Sequence, residues 1–206
     1  MSASYRGAVR QLLHDRLLDA GRDQLSDRPW AQVTMAEIAA AAGVSRQTLY
    51  NEFGTRDEFG QALVMRKGSR FLDGVEEAIA RHADDPLAAL TSALEQFLTA
   101  AEHDLFVRLL LGDDGTGGTL PLVTTQSGPV LDWASARLIT AIRAHWAGVP
   151  TGDLEPLADM LVRLAISHVA APREPPRRTA AAITRLLAPS IERMLAVRDC
   201  APAPRN

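Results

Sequence analysis

Apolar residues recur along most of this chain at intervals of three and four, the spacing of one face of an α-helix. Leu12, Leu13, Leu17, Leu18, Ala20 and Leu25 set the pattern and predict a first helix over about residues 6–26. Pro29 closes it, because a proline disfavours helix in the residue before it. Next comes TMAEIAAAAG. Thr34 and Glu37, three residues apart, form a capping box in which each side chain satisfies a free amide at the helix start. Gly43 is placed to end that helix in a left-handed C-cap. Only Val44 separates it from a second N-cap residue, Ser45, and Gly54 ends the short helix that follows. Thr55 and Glu58 make another capping box, opening a long helix that reaches about His82. Two short helices across a tight glycine turn describe a helix-turn-helix.

Beyond Pro86 the pattern stays helical over 86–103, 105–111, about 130–146, 154–171 and 176–197. A stretch rich in Gly, Thr and Pro, GDDGTGGTLPLVTTQSGP, interrupts it, and CAPAPRN reads as a disordered tail. There is no internal repeat and no strand pattern. The fold class is therefore all-α, with a three-helix N-terminal domain, a larger helical domain and about nine helices in all.

Composition agrees. A hydrophobic fraction of 47% suits a soluble globular protein, and few aromatics with few β-branched runs favour helices. The single cysteine, Cys200, cannot form an internal disulfide and fits a reducing compartment. The N-terminus has no apolar signal segment and no run long enough to span a bilayer, so a cytoplasmic protein away from membranes is expected. The net charge of −3 argues against a general nucleic-acid coat, but it is unevenly spread. Residues 1–70 hold 10 Lys/Arg against 8 Asp/Glu, and the remainder 12 against 17. A mildly basic N-terminal third permits local DNA contact without requiring it.

On a helical wheel of residues 45–53, Leu49 and Phe53 share one face and must pack inward. Gln47 and Asn51 lie opposite, flanked by Thr48 and Tyr50. Gln and Asn can bond adenine bidentately in the major groove, and Arg46 can reach guanine or a phosphate. A Tyr50 hydroxyl can donate to a phosphate, which fixes register without reading sequence. The wheel alone leaves a second reading open, a surface helix that is polar because it is solvated.

The spelling TMAEIAAAAGVSRQTLYNEFGTRDEF resembles the DNA-binding signature of the TetR family of bacterial transcriptional regulators. Thr34, Ile38, Ala39, Ala42, Gly43, Val44, Ser45, Tyr50 and Phe53 stand in the order of that signature. The resemblance covers about 45 N-terminal residues and implies DNA-contacting positions. Thr34 and Ser45 would cap the two helices near the backbone, and Arg46, Gln47 and Asn51 would make base or backbone contacts. Thr48 and Tyr50 would touch phosphates, and Arg56 replaces a signature lysine as a further phosphate anchor. Two departures stand out. Pro29 precedes Trp30 where the family usually has a glycine, which reads as a stiffer turn with Trp30 still packed beneath the helices. Glu52 is a carboxylate close to the phosphates; it either points aside or accepts from a cytosine amino group.

The resemblance also implies a C-terminal domain that dimerises and binds a small effector. Stripes at Leu154, Leu157, Leu161, Leu164 and His168, and at Ile183, Leu186, Leu187, Ser190, Ile191 and Met194, fit a homodimer through the last two helices, or the chain's own core. Phe97, Phe106, Leu110, Trp133, Leu138, Ile142 and Trp146 are candidate effector-lining residues, or simply core. A pocket they walled would favour a fatty-acyl chain, an alkane derivative or a lipophilic drug. Gly60, Gly68 and Gly74 inside the long helix each cost up to about 1 kcal/mol against alanine, which close packing or a soft connector would explain.

GDDGTGG lacks the residues of a phosphate or calcium loop, and the five histidines have no metal-ligand spacing. No nucleophile motif is present, so no catalytic residue, metal or cofactor is assigned. The expected organisation is residues 1–54 for DNA binding and 55–199 for effector binding and dimerisation, with 55–82 as connector and 200–206 as tail. The expected function is a ligand-responsive repressor that binds a palindromic operator of double-stranded DNA. The alternative is a helical small-molecule-binding module without DNA function.

Overall fold

The computed structural model describes residues 3–26, 28–104, 107, 128–146 and 148–199, and within them every regular element is helical. Helix α1 (Ala3–Gln24) leads through a 3-10 turn (Trp30–Gln32) to α2 (Met35–Ala41), α3 (Arg46–Phe53) and α4 (Arg56–Arg81). Then follow α5 (Pro86–Glu102), α6 (Gly128–His145), α7 (Thr151–Ala170) and α8 (Pro176–Asp199). The helix expected over 105–111 lies outside the described residues except for Val107, as do GDDGTGG and the tail.

The chain divides into two compact units. One comprises Met1–Lys67 with Asp104–Gly128, the other Gly68–His103 with Pro129–Asn206, and α4 contributes to both. In the first, α1–α3 and the start of α4 close around Leu17, Leu25, Ile38, Leu49 and Phe59, each at most 2% exposed. Trp30 is buried there as expected, its ring stacked 6.3 Å from Phe59, while Phe53 meets Phe59 edge-on at 4.7 Å. At Gly21 an added Cβ would stand 2.7 Å from the Phe59 ring, so a side chain there would push α1 off α4.

In the second unit, α5 packs against α7 and α8. Leu154, Leu157 and Leu161 of α7, with Ile183, Ile191 and Met194 of α8, are buried in this unit's own core. That places these members of the two stripes inside the chain and leaves Leu186, 77% exposed, on the other side of α8. Periodicity shows that a helix has an apolar face, not what covers it. Gly68 and Gly74 are packing positions: an added Cβ would lie 3.1 Å from the Trp133 ring and 3.3 Å from Gln96, respectively. One helical turn past Trp133, Arg137 ties α6 to α4. Its Nε donates to Glu76 at 2.9 Å, Nη2 to Asp73 at 2.9 Å and Nη1 to the Ser69 hydroxyl at 3.0 Å. Among the described residues, no helix is long and apolar enough to cross a membrane.

Candidate nucleic-acid interface

The helix-turn-helix is built by its caps. Thr34 Oγ1 accepts from the Glu37 amide at 3.2 Å, and Glu37 Oε2 accepts from the Thr34 amide at 2.8 Å. At the other end of α2, Val44 N donates to Ala39 O and Gly43 N to Ala40 O, both at 3.0 Å, with Gly43 at φ +67. These are the two bonds of a Schellman turn, which satisfies the last carbonyls while reversing the chain. Ser45 Oγ then caps α3 by accepting from Thr48 N at 3.0 Å. Gly54 leaves α3 at φ +80, and Thr55 with Glu58 repeats the reciprocal cap on α4. The turn between α2 and α3 is therefore fixed by bonds that span at most five residues.

Those caps are also charge sites. The Thr34 hydroxyl, the Arg28 guanidinium and the Thr34 amide all favour the ionised Glu37 carboxyl, holding it down to about 2 from an ordinary 4.5. The Thr55 amide and hydroxyl lower Glu58 in the same sense. A depressed folded-state pKa means the unfolded chain binds the proton first, so this stability is full above about pH 4.5 and lost as pH falls towards 2. Thermal melts across that range should show a fall that Thr34→Ala flattens. At neutral pH the same variant should lose about 1 kcal/mol.

Packed inward through Leu49 and Phe53, α3 turns Arg46, Gln47 and Asn51 to solvent. Gln47 Nε2 donates to Asn51 Oδ1 at 2.8 Å, an amide pair one turn apart along the outer face. The pair restrains both rotamers while leaving Gln47 its carbonyl and a second N–H, the two groups that bidentate pairing with adenine needs. Arg46 lies along Tyr50, its Cζ 5.3 Å from the ring centroid and its Nη2 3.4 Å from the hydroxyl. Tyr50 is half-buried against the first unit's core, so its ring is held and its hydroxyl reaches the rim. The Thr48 hydroxyl shares a 2.8 Å bond with that of Ser45.

Two residues resolve differently from the rest. Glu52 points aside: Arg10 Nε donates to both its oxygens, at 3.1 and 3.0 Å, and His14 Nδ1 lies 3.3 Å away. The carboxylate nearest the outer face thus has its charge met by α1, and His14 also stacks on Phe53 at 4.5 Å. Arg56 faces the protein rather than solvent. Its Nη2 donates to Trp30 O at 2.5 Å and Val33 O at 3.1 Å, and its Cζ sits 4.2 Å over the Trp30 ring. Trp30 O also accepts from the Val33 amide at 3.1 Å, so Arg56 adds a second donor there, and the indole face attracts a cation. Arg10, His14 and Arg28 carry no local signal in the sequence; only folding brings them to Glu52 and Glu37.

In the second unit, an apolar cavity of about 20 Å³ lies between α5, α6, α7 and α8, lined by Leu90, Ile142, Trp146, Leu154, Ile191 and Met194 among others. Ile142 and Trp146 are thus together at one cavity. Leu138 is buried core, while Phe97 and Trp133 pack partly buried at its edge. Phe106 and Leu110 lie outside the described residues. The Trp146 indole N–H donates to Ala83 O at 2.7 Å, which leaves its ring as the apolar wall.

A cap-locked helix-turn-helix with an outward amide face, joined by α4 to a separate helical unit, is the build of a DNA-binding transcriptional regulator rather than an enzyme. Sequence comparison assigns the family. Residues 17–63 match the bacterial regulatory proteins of the tetR family, and residues 85–189 match the bacterial tetracyclin repressor C-terminal domain. The chain is 36% identical over 189 residues to the HTH-type transcriptional regulator AlkX of Mycobacterium tuberculosis, covering 92% of this chain and 90% of that one. Among solved structures it is similar to the TetR family repressor AlkX from a Dietzia strain, implicated in biodegradation of n-alkanes. The TM-score there is 0.74 at 31% identity, over 88% of this chain and 96% of that one. The R. erythropolis transcriptional repressor QsdR shares the fold alone, with a TM-score of 0.63 at 16% identity over 86% and 94% of the two chains. This chain belongs to the TetR family of bacterial transcriptional regulators.

Proposed function

We propose that this regulator is a repressor that occupies a palindromic operator as a homodimer and leaves it when a small apolar effector enters the C-terminal unit. The observation that carries the DNA half is the Gln47–Asn51 amide pair, held outward on a helix whose two ends are capped. Arg46, Gln47 and Asn51 read the major groove, and Thr48 and Tyr50 hold phosphates, with the capped starts of α2 and α3 at Thr34 and Ser45 beside the backbone. Arg56 acts by bracing the turn beneath them. Residues 1–54 form the reading head, 55–82 the connector, and 55–199 the effector and dimer domain.

Two observations support an apolar effector. The cavity is walled by aliphatic and aromatic side chains, and the Dietzia relative is implicated in biodegradation of n-alkanes. At about 20 Å³ the cavity holds no such molecule in this state, so entry repacks flexible walls such as Met194. Met160 and Leu186, 47% and 77% exposed on the outer sides of α7 and α8, favour a dimer through these two helices. An effector that prefers the repacked state shifts the population away from the DNA-competent one.

Separate variants test the division of labour. Gln47→Ala with Asn51→Ala should cost about 1–3 kcal/mol per lost base contact and flatten discrimination between operator and scrambled DNA. Tyr50→Phe should weaken both DNAs alike, because a phosphate contact carries no sequence information. Gel shifts in which the amide variant keeps full discrimination would remove these residues from the reading role.

A further inference from the structure

The stripe of α6 that reaches the cavity contains one polar residue. Leu131, Ser135, Leu138 and Ile142 follow each other at helical spacing on one face, Trp146 continues it just past the helix end, and all five are buried, Ile142 and Trp146 at the cavity itself. Ser135 is 9% exposed, and its hydroxyl has no hydrogen-bond partner among the described residues. Three other helical hydroxyls are satisfied by their own helix. Thr91 donates to Leu87 O at 2.7 Å, Thr140 to Ala136 O at 2.8 Å and the buried Thr184 to Ala180 O at 3.0 Å. Ser135 makes no such bond to the carbonyl four residues back. A buried, unpaired hydroxyl is unfavourable, and it stands where an apolar residue would fit the stripe.

Building on the apolar-effector reading, we propose that Ser135 is the polar contact of the effector site. It takes the neutral oxygenated end, a hydroxyl or carbonyl, of an otherwise aliphatic molecule whose tail runs along α6 to Ile142 and Trp146. Seven residues separate Ser135 from Ile142, about 10 Å of helix, so the ligand is an extended chain rather than a compact ring. Leu138, between them, turns aside as the chain enters. The head group is neutral because the cation that neighbours Ser135 on α6 is already engaged. Arg137 points to the α4 side, where Glu76, Asp73 and Ser69 occupy it, and a carboxylate beside a lone hydroxyl would be buried without a counter-charge.

The test is a thermal-shift titration of the full chain with n-decane, n-decanol and decanoic acid, for wild type and Ser135→Ala, each shift taken from that protein's own ligand-free baseline. Wild type should bind n-decanol about tenfold more tightly than n-decane, the worth of one hydrogen bond, and decanoic acid more weakly than n-decanol. Ser135→Ala should lower n-decanol to the level of n-decane, leave n-decane unchanged and, without ligand, melt no lower than wild type. Equal binding of alcohol and alkane by wild type would overturn the Ser135 assignment while leaving the apolar effector standing, and so would a preference for alcohol that survives Ser135→Ala. Tighter binding of decanoic acid would overturn the neutral head group. No shift with any of the three would overturn the apolar-effector reading, and this inference with it.

Discussion

Arg56→Met is expected to lose thermal stability and operator binding together. The guanidinium spans the 3-10 turn from within, donating to Trp30 O and Val33 O while lying on the Trp30 ring. Methionine fills similar space over the indole but donates nothing. Losing charge-assisted bonds to two carbonyls and a cation–π contact should cost about 2 kcal/mol, or roughly 4–8 °C in melting temperature. Operator binding falls because that turn feeds directly into the Thr34 cap, which sets where α2 begins. Arg56→Lys separates a brace from a phosphate anchor. Lysine keeps the charge that an anchor needs but cannot fork onto two carbonyls, so it should melt nearly as low as methionine. A lysine variant with wild-type melting and weakened DNA binding would return Arg56 to the phosphate role.

The second large effect is expected at Arg137→Met, and it falls on regulation. The guanidinium holds α6 to α4 at three side chains, one turn from Trp133 seated over Gly68. Its carboxylate neighbours raise the pKa of Arg137 despite the opposing cost of burial, so it stays charged at any working pH. Asp73 and Glu76 are 59% and 39% exposed, and solvent screening limits the stability loss to about 1–2 kcal/mol. The effect on release should be larger. The cavity residue Ile142 shares α6 with this seam, Trp146 directly follows that helix, and α4 continues into the first unit. With the fork gone, ligand-free operator affinity should stay within about threefold of wild type, while the effector's power to lower it drops by about tenfold. Anisotropy titrations with and without n-decanol measure both numbers; an unchanged ratio would take the α4–α6 seam out of the transmission route.

The sequence makes some of this architecture plain and hides the rest, for one physical reason. Thr34 with Glu37, Ser45 with Thr48 and Thr55 with Glu58 act across three residues, so spelling reveals the caps and with them the limits of α2, α3 and the start of α4. The inward face of α3 is equally local, two residues four apart. Glu52 with Arg10, Arg56 with Trp30 and Arg137 with Glu76 meet across 42, 26 and 61 positions, which no periodicity encodes. The place of a signature lysine points Arg56 to a phosphate, whereas its bonds to Trp30 O and Val33 O appear only once the chain is folded. The stripes of α7 and α8 had the right period; which partner covered them depended on the packing of α5, whose last residue, Glu102, stands 49 positions before the start of α7 at Thr151.

The most direct test of the account is a footprint of the purified chain on the DNA upstream of its own gene, with and without n-decanol. Two protected half-sites in inverted order are expected, their centres one or more helical turns apart, lost in the Gln47→Ala, Asn51→Ala variant and cleared from wild type by the alcohol. Protection that is equal on upstream and scrambled DNA, from a protein shown to be folded, would contradict it.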